Sequence, residues 1–313
     1  MMTTLDEILD AVDDYLTARM AIACPHHESV LEAAKTSIER NLAVPVLVGD
    51  RATIEASAAK AGFDLTAATI IEEPDVPTAA RRAAQEVREG RADILMKGHL
   101  HTDDFLRGLL DKETGLRSGH IMSHVYILET KPLGRLTLVT DGAMNVAPDL
   151  PTKADIVMNA VYLARLLGVQ MPKVCCLAAV ELINPEMPAT LEAAALAKMS
   201  DRGQFPECQV DGPFALDNAV SLLAAQTKKI NSPCAGQADI LLVPDIEAGN
   251  ILAKSFSFLC GGRVAGVLVG AAAPVVLTSR ADSAEAKLYS IATAVYMSDM
   301  KRDGRTKIGK VHY

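Results

Sequence analysis

Hydrophobic and polar residues form two patterns along this chain: apolar residues at helical spacing and short continuous apolar runs, which are typical of buried strands. Near the N-terminus the pattern predicts an amphipathic helix, because apolar residues recur at helical spacing at Leu5, Ile8, Leu9, Val12, Tyr15 and Leu16. Short apolar runs then alternate with amphipathic stretches. These predict strands at 20–23, 44–48, 68–71 and 93–96 and helices at 28–40, 51–61 and 78–89. Such alternation is typical of an α/β fold with a parallel sheet.

The alternation is interrupted once, between two apolar runs at 122–128 and 136–140. They are separated only by residues 129–135, which include Pro132 and Gly134. Since this connection is too short for a crossover helix, the two runs are predicted to pair antiparallel and to mark a change of domain.

The alternation then resumes and ends with a last strand and helix that begin at Val275. The intervening pattern predicts helices at 152–167, 189–201, 214–228 and 249–259 and strands at 173–178, 240–243 and 264–269. We therefore predict two α/β domains. The first is discontinuous, residues 1–130 plus 275–313, with the final helix returning to it, and the second comprises residues 131–274.

Polar residues follow four of the predicted strands, at 97–102, 141–145, 245–250 and 279–280. Open α/β sheets bind ligands at the carboxyl ends of their strands, so these four corners are candidate site segments. The corner at Ser279 and Arg280 offers a hydroxyl, a guanidinium and the first-turn amides of a helix together. This combination suits an anion, above all phosphate.

A structural interpretation stands beside the functional one at these corners. Asp282 and Glu285 have the spacing of a helix capping box, and in that interpretation Arg280 is a surface charge. Arg107 lies on a helix that Thr102 or an aspartate caps, and is either a surface charge or a second guanidinium for the same anion.

A metal site is not expected. His99 and His101 form an HxH pair that can ligate zinc, but no third ligand stands at a suitable spacing, and Lys97 disfavours a dication. The six cysteines contain no CxxC pair and are expected to be reduced core residues.

Composition narrows the class of protein. A chain of 313 residues with 50% hydrophobic content can bury a large core, and the net charge of -8 argues against nucleic acid or an anionic membrane as partner. No apolar run approaches the roughly 20 residues of a membrane span, and the acidic N-terminus does not resemble a signal peptide, so we expect a cytoplasmic protein. GxGxxG, GxxxxGK[ST] and GxSxG motifs are absent, so neither the nucleotide folds they define nor a hydrolase triad is indicated.

Five ordered segments resemble the phosphate acetyltransferase and phosphate butyryltransferase family. They are LMKGHLHTDDFLRGLLDKETGLRSGHIMSHV, VTDGAMNVAPDLPTKADIVMNAV, KMSDRGQFPECQVDGPFALDNAVS, ADILLVPDIEAGNILAKSF and APVVLTSRADSAEAKLYSIA. The SRADSAEAK ending, the APDLPTK segment and the modest length are more similar to the butyryltransferase branch.

The resemblance implies a fold, an activity and partners. The fold is two α/β domains of the isocitrate and isopropylmalate dehydrogenase-like type, with the active site in the interdomain cleft. The activity is reversible transfer of a short acyl group between coenzyme A and inorganic phosphate, by direct attack of the thiolate on the acyl phosphate. Acyl-CoA is a substrate, no cofactor is implied, and the protein is expected to be a homodimer or a higher homo-oligomer.

Matched position by position, the resemblance implies roles for three residues. Ser279 supplies a hydroxyl to the thiol or to the developing oxyanion, while Arg280 and Arg107 hold the phosphate. The remaining candidate substrate-binding residues, from the other corners, are Lys97, His101, Thr102, Asn145 and Asn250.

Two positions depart from the acetyltransferase pattern. The aspartate proposed there as base for the thiol is replaced by Ala286, which leaves Glu285 as the favoured base and Asp282 as a neighbouring candidate. A cysteine is replaced by Gly142, which we interpret as widening the pocket for a longer acyl chain.

Three other functions remain open on the sequence. They are phosphate acetyltransferase activity, a nicotinamide-dependent dehydrogenase of the same fold, and a non-catalytic acyl-CoA-binding protein. The dehydrogenase requires convergent carboxylates for its metal, whereas these corners supply mostly Lys, His, Asn and Arg.

Overall fold

The computed structural model describes residues 1–12, 17–130, 133–302, 304 and 307–312. Tyr15 and Leu16 of the predicted first helix, and Pro132 of the predicted turn, lie outside these residues. The strands are β1 (Ala18–Ala23), β2 (Ala43–Gly49), β3 (Thr69–Glu72), β4 (Ile94–Lys97), β5 (Ser123–Thr130), β6 (Arg135–Thr140), β7 (Lys173–Leu177), β8 (Gln209–Phe214), β9 (Ile240–Leu242), β10 (Arg263–Val269) and β11 (Val275–Val276).

Helices occupy most of the connections between these strands. They are α1 (Leu5–Val12), α2 (Glu28–Glu39), α3 (Arg51–Ala61), α4 (Val76–Arg88), α5 (Thr102–Leu109), α6 (Leu150–Leu166), α7 (Pro188–Asp201), α8 (Leu216–Val220), α9 (Leu222–Thr227), α10 (Ile246–Phe258) and α11 (Ala284–Arg302). A short 3₁₀ helix at Leu65–Ala67 precedes β3. This mixed α/β order confirms the predicted fold class at that level.

Aspartates set where several of these helices begin. In each case the carboxylate accepts a hydrogen bond from a backbone N–H in the first turn, which satisfies a donor that has no partner within the helix. The four examples are Asp50 to Thr53 (2.8 Å), Asp75 to Thr78 (3.0 Å), Asp149 to Thr152 (3.0 Å) and Asp245 to Ala248 (2.8 Å).

The chain divides into two compact units. The first unit contains Asp6–His120 and Ala265–Arg305, and the second contains Met1–Leu5, Ile121–Val264 and Thr306–Tyr313. Compared with the sequence-based boundaries at 131 and 275, the breaks at 121 and 265 fall ten residues earlier. The hairpin explains the first difference, because β5 pairs with β6 and stays in the same unit.

In the first unit, parallel strands follow the order β3-β2-β1-β4-β11, and β10 pairs antiparallel with β11. The register places Ala23 beside Lys97, and Val276 beside Met96. Helix α11 belongs to this unit and packs against α2, β4 and β11. The carboxyl ends of β1, β4 and β11 therefore lie next to one another.

In the second unit, the strand order is β5-β6-β9-β7-β8. Strands β5 and β6 are antiparallel, as predicted, and the other pairs are parallel. Strand β8 was not predicted, because it contains Gly212 and Pro213, which disfavour central strands. Its position at the end of the strand order leaves one side unpaired, and proline is tolerated there.

The helix predicted at 214–228 is wrong as a single element. The segment contains the end of β8 followed by α8 and α9, which are separated at Ser221. Ser221 has extended backbone, and its hydroxyl accepts a hydrogen bond from Ala224 N at 3.3 Å. The apolar periodicity continues through this residue, so the pattern alone does not reveal the break.

Five of the six cysteines are buried and Cys260 is exposed, so the prediction that all are core residues is wrong for Cys260. Within the part of the chain that the structure describes, no helix combines the length and apolar character needed to cross a bilayer.

Candidate functional site

Main-chain hydrogen bonds join the segments that follow β1 and β4 in the first unit. Gly98 N donates to Ala23 O at 2.9 Å, and His99 N donates to Cys24 O at 2.8 Å. A Cβ atom at residue 98 would lie 2.3 Å from each of these two carbonyl oxygens. Only glycine fits this close approach, which holds the ends of the two strands together.

The segment after β11 forms a turn closed by Asp282. The Asp282 carboxylate accepts a hydrogen bond from Ser279 N at 2.7 Å, and Asp282 N donates to Ser279 O at 3.2 Å. The Ser279 hydroxyl accepts from Ala281 N at 3.3 Å. Ser279 is half-buried and Arg280 is exposed. The turn thus fixes the backbone of Ser279 and presents both side chains.

The capping box predicted for Asp282 and Glu285 is not formed. Helix α11 begins at Ala284, and the residue that caps it is Ser283, whose hydroxyl accepts a hydrogen bond from Ala286 N at 3.1 Å. Both Asp282 and Ser283 are suitable N-cap residues, so the sequence does not distinguish them. Asp282 closes the preceding turn instead.

Three cations gather at these strand ends. Lys97, the last residue of β4, is 3% exposed, and Lys287 on α11 is 2% exposed. Burial lowers the pKa of Lys97 to about 8, and the charges of Arg280 and Lys287 act in the same direction, while Asp282 opposes them. Burial likewise lowers the pKa of Lys287, whose ammonium donates to Asp282 O. We call Lys97, Arg280 and Lys287 the cation cluster.

Histidines from two strand ends lie beside the cation cluster. The rings of His27 and His99 stack with centroids 5.0 Å apart, and His26 Nε2 accepts a hydrogen bond from Asp50 N at 3.1 Å. Burial is the main cause that lowers the pKa of His99, and His27 and Arg280 act in the same direction. These surroundings disfavour an imidazolium, so His99 adds a neutral donor or acceptor.

The two histidines of the HxH pair do not converge. His99 stacks on His27, whereas His101 is exposed at the N-cap of α5 and makes no side-chain capping bond. Thr102 is also exposed and is the first residue of α5, so the predicted Thr or Asp cap is wrong. Among the residues described, no group of three or more His, Cys, Asp or Glu side chains is arranged to hold a metal ion.

Arg107 projects from the surface of α5. Its side chain is 80% exposed and forms an ion pair with Asp104 at 3.9 Å, one turn earlier. An exposed pair of this kind contributes little to stability. Arg107 is therefore an accessible cation of the first unit, whereas Arg280 lies next to buried lysines.

Glu285 lies on the exposed side of the first turn of α11, while the adjacent Ala286 is buried. The Tyr289 hydroxyl lies 3.3 Å from Glu285 Oε1 and 2.6 Å from Asp6 Oδ1. The shorter contact to Asp6 is the better hydrogen bond, because one O–H donates well to one acceptor at a time. The Glu285 carboxylate is therefore held only weakly by Tyr289.

In the second unit, the corner after β6 is closed by its own carboxylate. Asp141 is 3% exposed and accepts hydrogen bonds from Ala143 N and Met144 N, each at 3.0 Å. Asn145 donates to it through its backbone at 3.2 Å and its side chain at 2.6 Å. This corner differs from the cation cluster, since its amides already bind an anion of the protein itself.

Both candidate asparagines of the second unit use their amide groups to hold main chain. Asn145 Nδ2 donates to Met122 O at 2.9 Å, and Asn250 Nδ2 donates to Gly142 O at 3.2 Å. These contacts connect the corner after β6 with the hairpin and with α10. They are structural bonds, whatever else the two side chains contact.

Gly142 allows close packing, and the interpretation that it widens a pocket is wrong for this structure. A Cβ atom at residue 142 would lie 2.9 Å from the Tyr126 ring, 3.0 Å from Gly249 C and 3.2 Å from Asn250 N. Gly249 is equally constrained, since its Cβ would lie 2.8 Å from Asp141 O. The two glycines let α10 approach the corner.

An apolar cavity of about 420 Å³ lies in the second unit. It is found where β7 and β9 end, and its lining carries no ionisable side chain. Five stretches of the chain contribute to its lining, which includes Leu177, Met187, Leu216, Val243 and Leu252. Most small-molecule sites are apolar in this way, with few polar groups.

Sequence reasoning missed the cavity, Lys287 and His27. The cavity has a weak sequence signal, the small or rigid residues Ala178, Ala179 and Pro244 directly after two strands. Lys287 has a stronger sequence signal, since it is the one charged residue among the buried residues of α11. A buried lysine needs a polar environment.

An α/β unit with cations gathered at the carboxyl ends of its strands is typical of proteins that bind phosphorylated ligands. Residues 73–295 match the family described as "Phosphate acetyl/butaryl transferase", and the chain belongs to this family.

Individual relatives agree with this assignment. The chain is 46% identical to a phosphate butyryltransferase of Clostridium acetobutylicum, covering 96% of this chain and 100% of the relative. It is 42% identical to a phosphate acetyltransferase of Rhizobium meliloti, covering 95% and 94%. A crystal structure of a branched-chain phosphotransacylase from Enterococcus faecalis V583 is similar in fold, with a TM-score of 0.79 and 33% identity over 90% of this chain and 99% of that one.

We expect Gly142→Ala to lower the free energy of unfolding by about 1–3 kcal/mol, because the added methyl overlaps the main chain of α10. Gly142→Leu should lose more. Denaturant unfolding followed by circular dichroism measures both, with Ala143→Ser at the neighbouring, half-buried position as the control. Wild-type stability of Gly142→Leu would show that this corner has room for a side chain.

Proposed function

We propose that this protein is a phosphate acyltransferase that moves a short acyl group, preferably butyryl, reversibly between coenzyme A and inorganic phosphate. The observation that carries the proposal is the cation cluster beside Ser279, since it places exposed Arg280 and two buried lysines together at the carboxyl ends of strands, where a phosphate can bind. Family membership and the names of the relatives support the same reaction.

The reaction is balanced without a cofactor. The coenzyme A sulfur attacks the acyl carbonyl carbon of the acyl phosphate, the carbon–oxygen bond to phosphate breaks, and the thiol proton ends on the released phosphate. The thioester is the other product, and the reverse direction retraces these steps. No covalent bond to the protein forms in this sequence.

The residues of the first unit divide this work between charge and hydrogen bonding. Arg280 and Lys97 bind the phosphoryl oxygens and stabilise the charge that accumulates as phosphate leaves. The Ser279 hydroxyl donates to the thiolate or to the carbonyl oxygen as it becomes an oxyanion. Asp282 fixes Ser279 through its backbone, and Lys287 fixes Asp282.

The family resemblance supports a finer description of the fold and assembly. It implies the isocitrate and isopropylmalate dehydrogenase type, in which acyl-CoA and phosphate meet in the interdomain cleft. It also implies a homodimer or a higher homo-oligomer. His101, Thr102, Asn145 and Asn250 remain candidate substrate-binding residues in this proposal.

The dehydrogenase alternative is not favoured. The relatives at 42–46% identity considered above are acyltransferases by name. The assays below also test the non-catalytic alternative. A protein that only binds acyl-CoA would show affinity for the thioester but no phosphate-dependent loss of the thioester bond.

We expect Arg280→Ala to weaken phosphate binding and to lower kcat, because the contact between the guanidinium and the phosphate strengthens as the leaving group gains charge. The loss of kcat/KM should be on the order of a hundredfold, as for one charge-assisted contact in a transition state. Phosphate-dependent thioester loss from butyryl-CoA measures it. Arg40→Ala, at the exposed C-cap of α2, is the matched control.

The same assay resolves the two interpretations of Arg107. If both arginines grip one phosphate, the combined loss in the double variant with Arg280→Ala is smaller than the product of the single losses. Independent losses identify Arg107 as a separate contact, and wild-type kinetics of Arg107→Ala identify it as a surface charge. Wild-type kinetics of Arg280→Ala contradict the proposed phosphate site.

Butyryl-CoA should exceed acetyl-CoA in kcat/KM. Each methylene that fits an apolar pocket is worth about 1–3 kcal/mol of discrimination, or roughly 10-fold to 200-fold. Initial rates with acetyl-, propionyl- and butyryl-CoA at saturating phosphate measure the series. An equal or inverted order would identify a phosphate acetyltransferase.

Glu285 is the proposed base for the coenzyme A thiol, because the aspartate of the acetyltransferase pattern is replaced by Ala286 in this chain. We expect Glu285→Gln to lower kcat at neutral pH. The difference in kcat from the wild type should shrink as pH rises, because free thiols ionise near pH 8.5 and then need no base. The matched variant is Asp282→Asn, which keeps an oxygen to accept from Ser279 N and should retain most activity. A small, pH-independent loss for Glu285→Gln would remove Glu285 from the mechanism.

A further inference from the structure

Lys97 is a buried lysine without a partner among the residues described. Among the described residues of both units, three lysines are buried: Lys97, Lys153 and Lys287. Lys153 pairs with Glu192, and Lys287 donates to Asp282 O. The main chain of Lys97 pairs with β1, but its side chain, in a residue only 3% exposed, forms neither a hydrogen bond nor an ion pair with a described residue. The residue is largely removed from water, and no described protein group binds its ammonium, so this ammonium is available to an anionic ligand.

The charges around Lys97 do not offset its own charge. Arg280 and Lys287 add positive charge, and His99 on the same segment is also influenced by Arg280 and Lys97. Asp282 is the opposing carboxylate, but it accepts the hydrogen bond from Ser279 N and closes the turn. Glu32, on α2, acts on Lys287. No described carboxylate therefore forms an ion pair with the Lys97 ammonium, which leaves this ammonium free to bind an external anion.

We infer that the Lys97 side chain is a phosphate ligand that takes up a proton as the anion binds, so that phosphate and a proton enter this site together. The inference rests on the proposed function and specifies how its phosphate site works. An anion at hydrogen-bond distance favours the ammonium form, because an opposite charge stabilises it and the contact compensates the loss of water.

The protonation state of the empty site makes this coupling measurable. Since burial, Arg280 and Lys287 lower the pKa of Lys97 to about 8, a large part of the protein carries neutral Lys97 slightly above that pH. Bound phosphate returns it to the ammonium form. Inorganic phosphate is already a dianion at such a pH, so the proton taken up comes from the buffer and ends on the protein.

Isothermal titration calorimetry with inorganic phosphate alone tests the coupling on the full chain. Titrations at a pH about half a unit above the Lys97 value, in two buffers of different ionisation enthalpy, give the number of protons exchanged. Because an amine is about three-quarters neutral half a unit above its pKa, we expect uptake of roughly three-quarters of a proton per phosphate in the wild type. Lys60→Met, on the exposed face of α3, should behave as the wild type.

Two substitutions at residue 97 separate charge from proton uptake. Lys97→Met should weaken phosphate binding by on the order of tenfold to a hundredfold, as expected for a charge-assisted hydrogen bond, and abolish proton uptake. Lys97→Arg should keep more of the affinity but take up no proton, because a guanidinium stays charged. Without phosphate, Lys97→Met should not lower Tm, since it replaces an unpaired buried charge by an apolar chain of similar length.

Three results would overturn the inference. They are wild-type phosphate affinity in Lys97→Met, no proton uptake in the wild type, and equal uptake in Lys97→Arg. A large fall in Tm for Lys97→Met would identify a structural lysine instead. The proposed acyl transfer is assayed separately by thioester loss, so an active wild type that exchanges no proton would reject this inference and leave the reaction standing.

Discussion

Parallel pairing of β1, β4 and β11 is the constraint on which the candidate site depends. Because the strands run in the same direction and in a fixed register, the segments that follow them must leave the sheet side by side. Hydrogen bonds from Gly98 and His99 to the segment after β1 hold two of these exits together. Residues far apart in sequence, such as His27, His99 and Arg280, are thereby brought into one electrostatic environment.

This arrangement concentrates positive charge at a desolvation cost. Burying Lys97 and Lys287 near Arg280 disfavours their charged forms, which is the physical origin of their lowered pKa values. Lys287 recovers part of that cost by donating to Asp282 O, whereas Lys97 does not recover it within the described protein. In the phosphate site that we propose, the bound dianion compensates this cost, so phosphate binding and the protonation of Lys97 are coupled.

The corner after β6 in the second unit has the opposite electrostatic character. Its corner after β6 has comparable backbone amides, but the buried carboxylate of Asp141 occupies them. Gly142 and Gly249 allow α10 to pack closely against that corner, and the asparagines hold it in place. Similar polar corners in sequence therefore differ in chemistry. In the first unit one carboxylate, Asp282, faces three cations, whereas in the second unit the amides of the corner bind the carboxylate of Asp141.

Sequence periodicity determined the parts of this protein that depend on local chemistry. The strand and helix alternation, the antiparallel hairpin and the corner at Ser279 follow from residues close to one another in the chain. The segments that resemble the family identify Ser279, Arg280 and Arg107 as candidate site residues, and hydrophobic periodicity by itself does not single them out. The prediction failed where two local solutions were equally good, as for Asp282 and Ser283 at the start of α11, or where an edge position tolerates Pro213.

Only the tertiary structure decided burial and partnership. The sequence shows Lys97 directly after a predicted strand and Arg107 on the following helix, but it does not show that the fold buries Lys97 and leaves the Arg107 side chain 80% exposed. The structure also shows that Gly142 is needed for the close packing of α10, whereas the sequence suggested that it widens a pocket. The physical reason is that solvent access and the distance between charges depend on residues brought together from distant parts of the chain, and no local pattern encodes those distances.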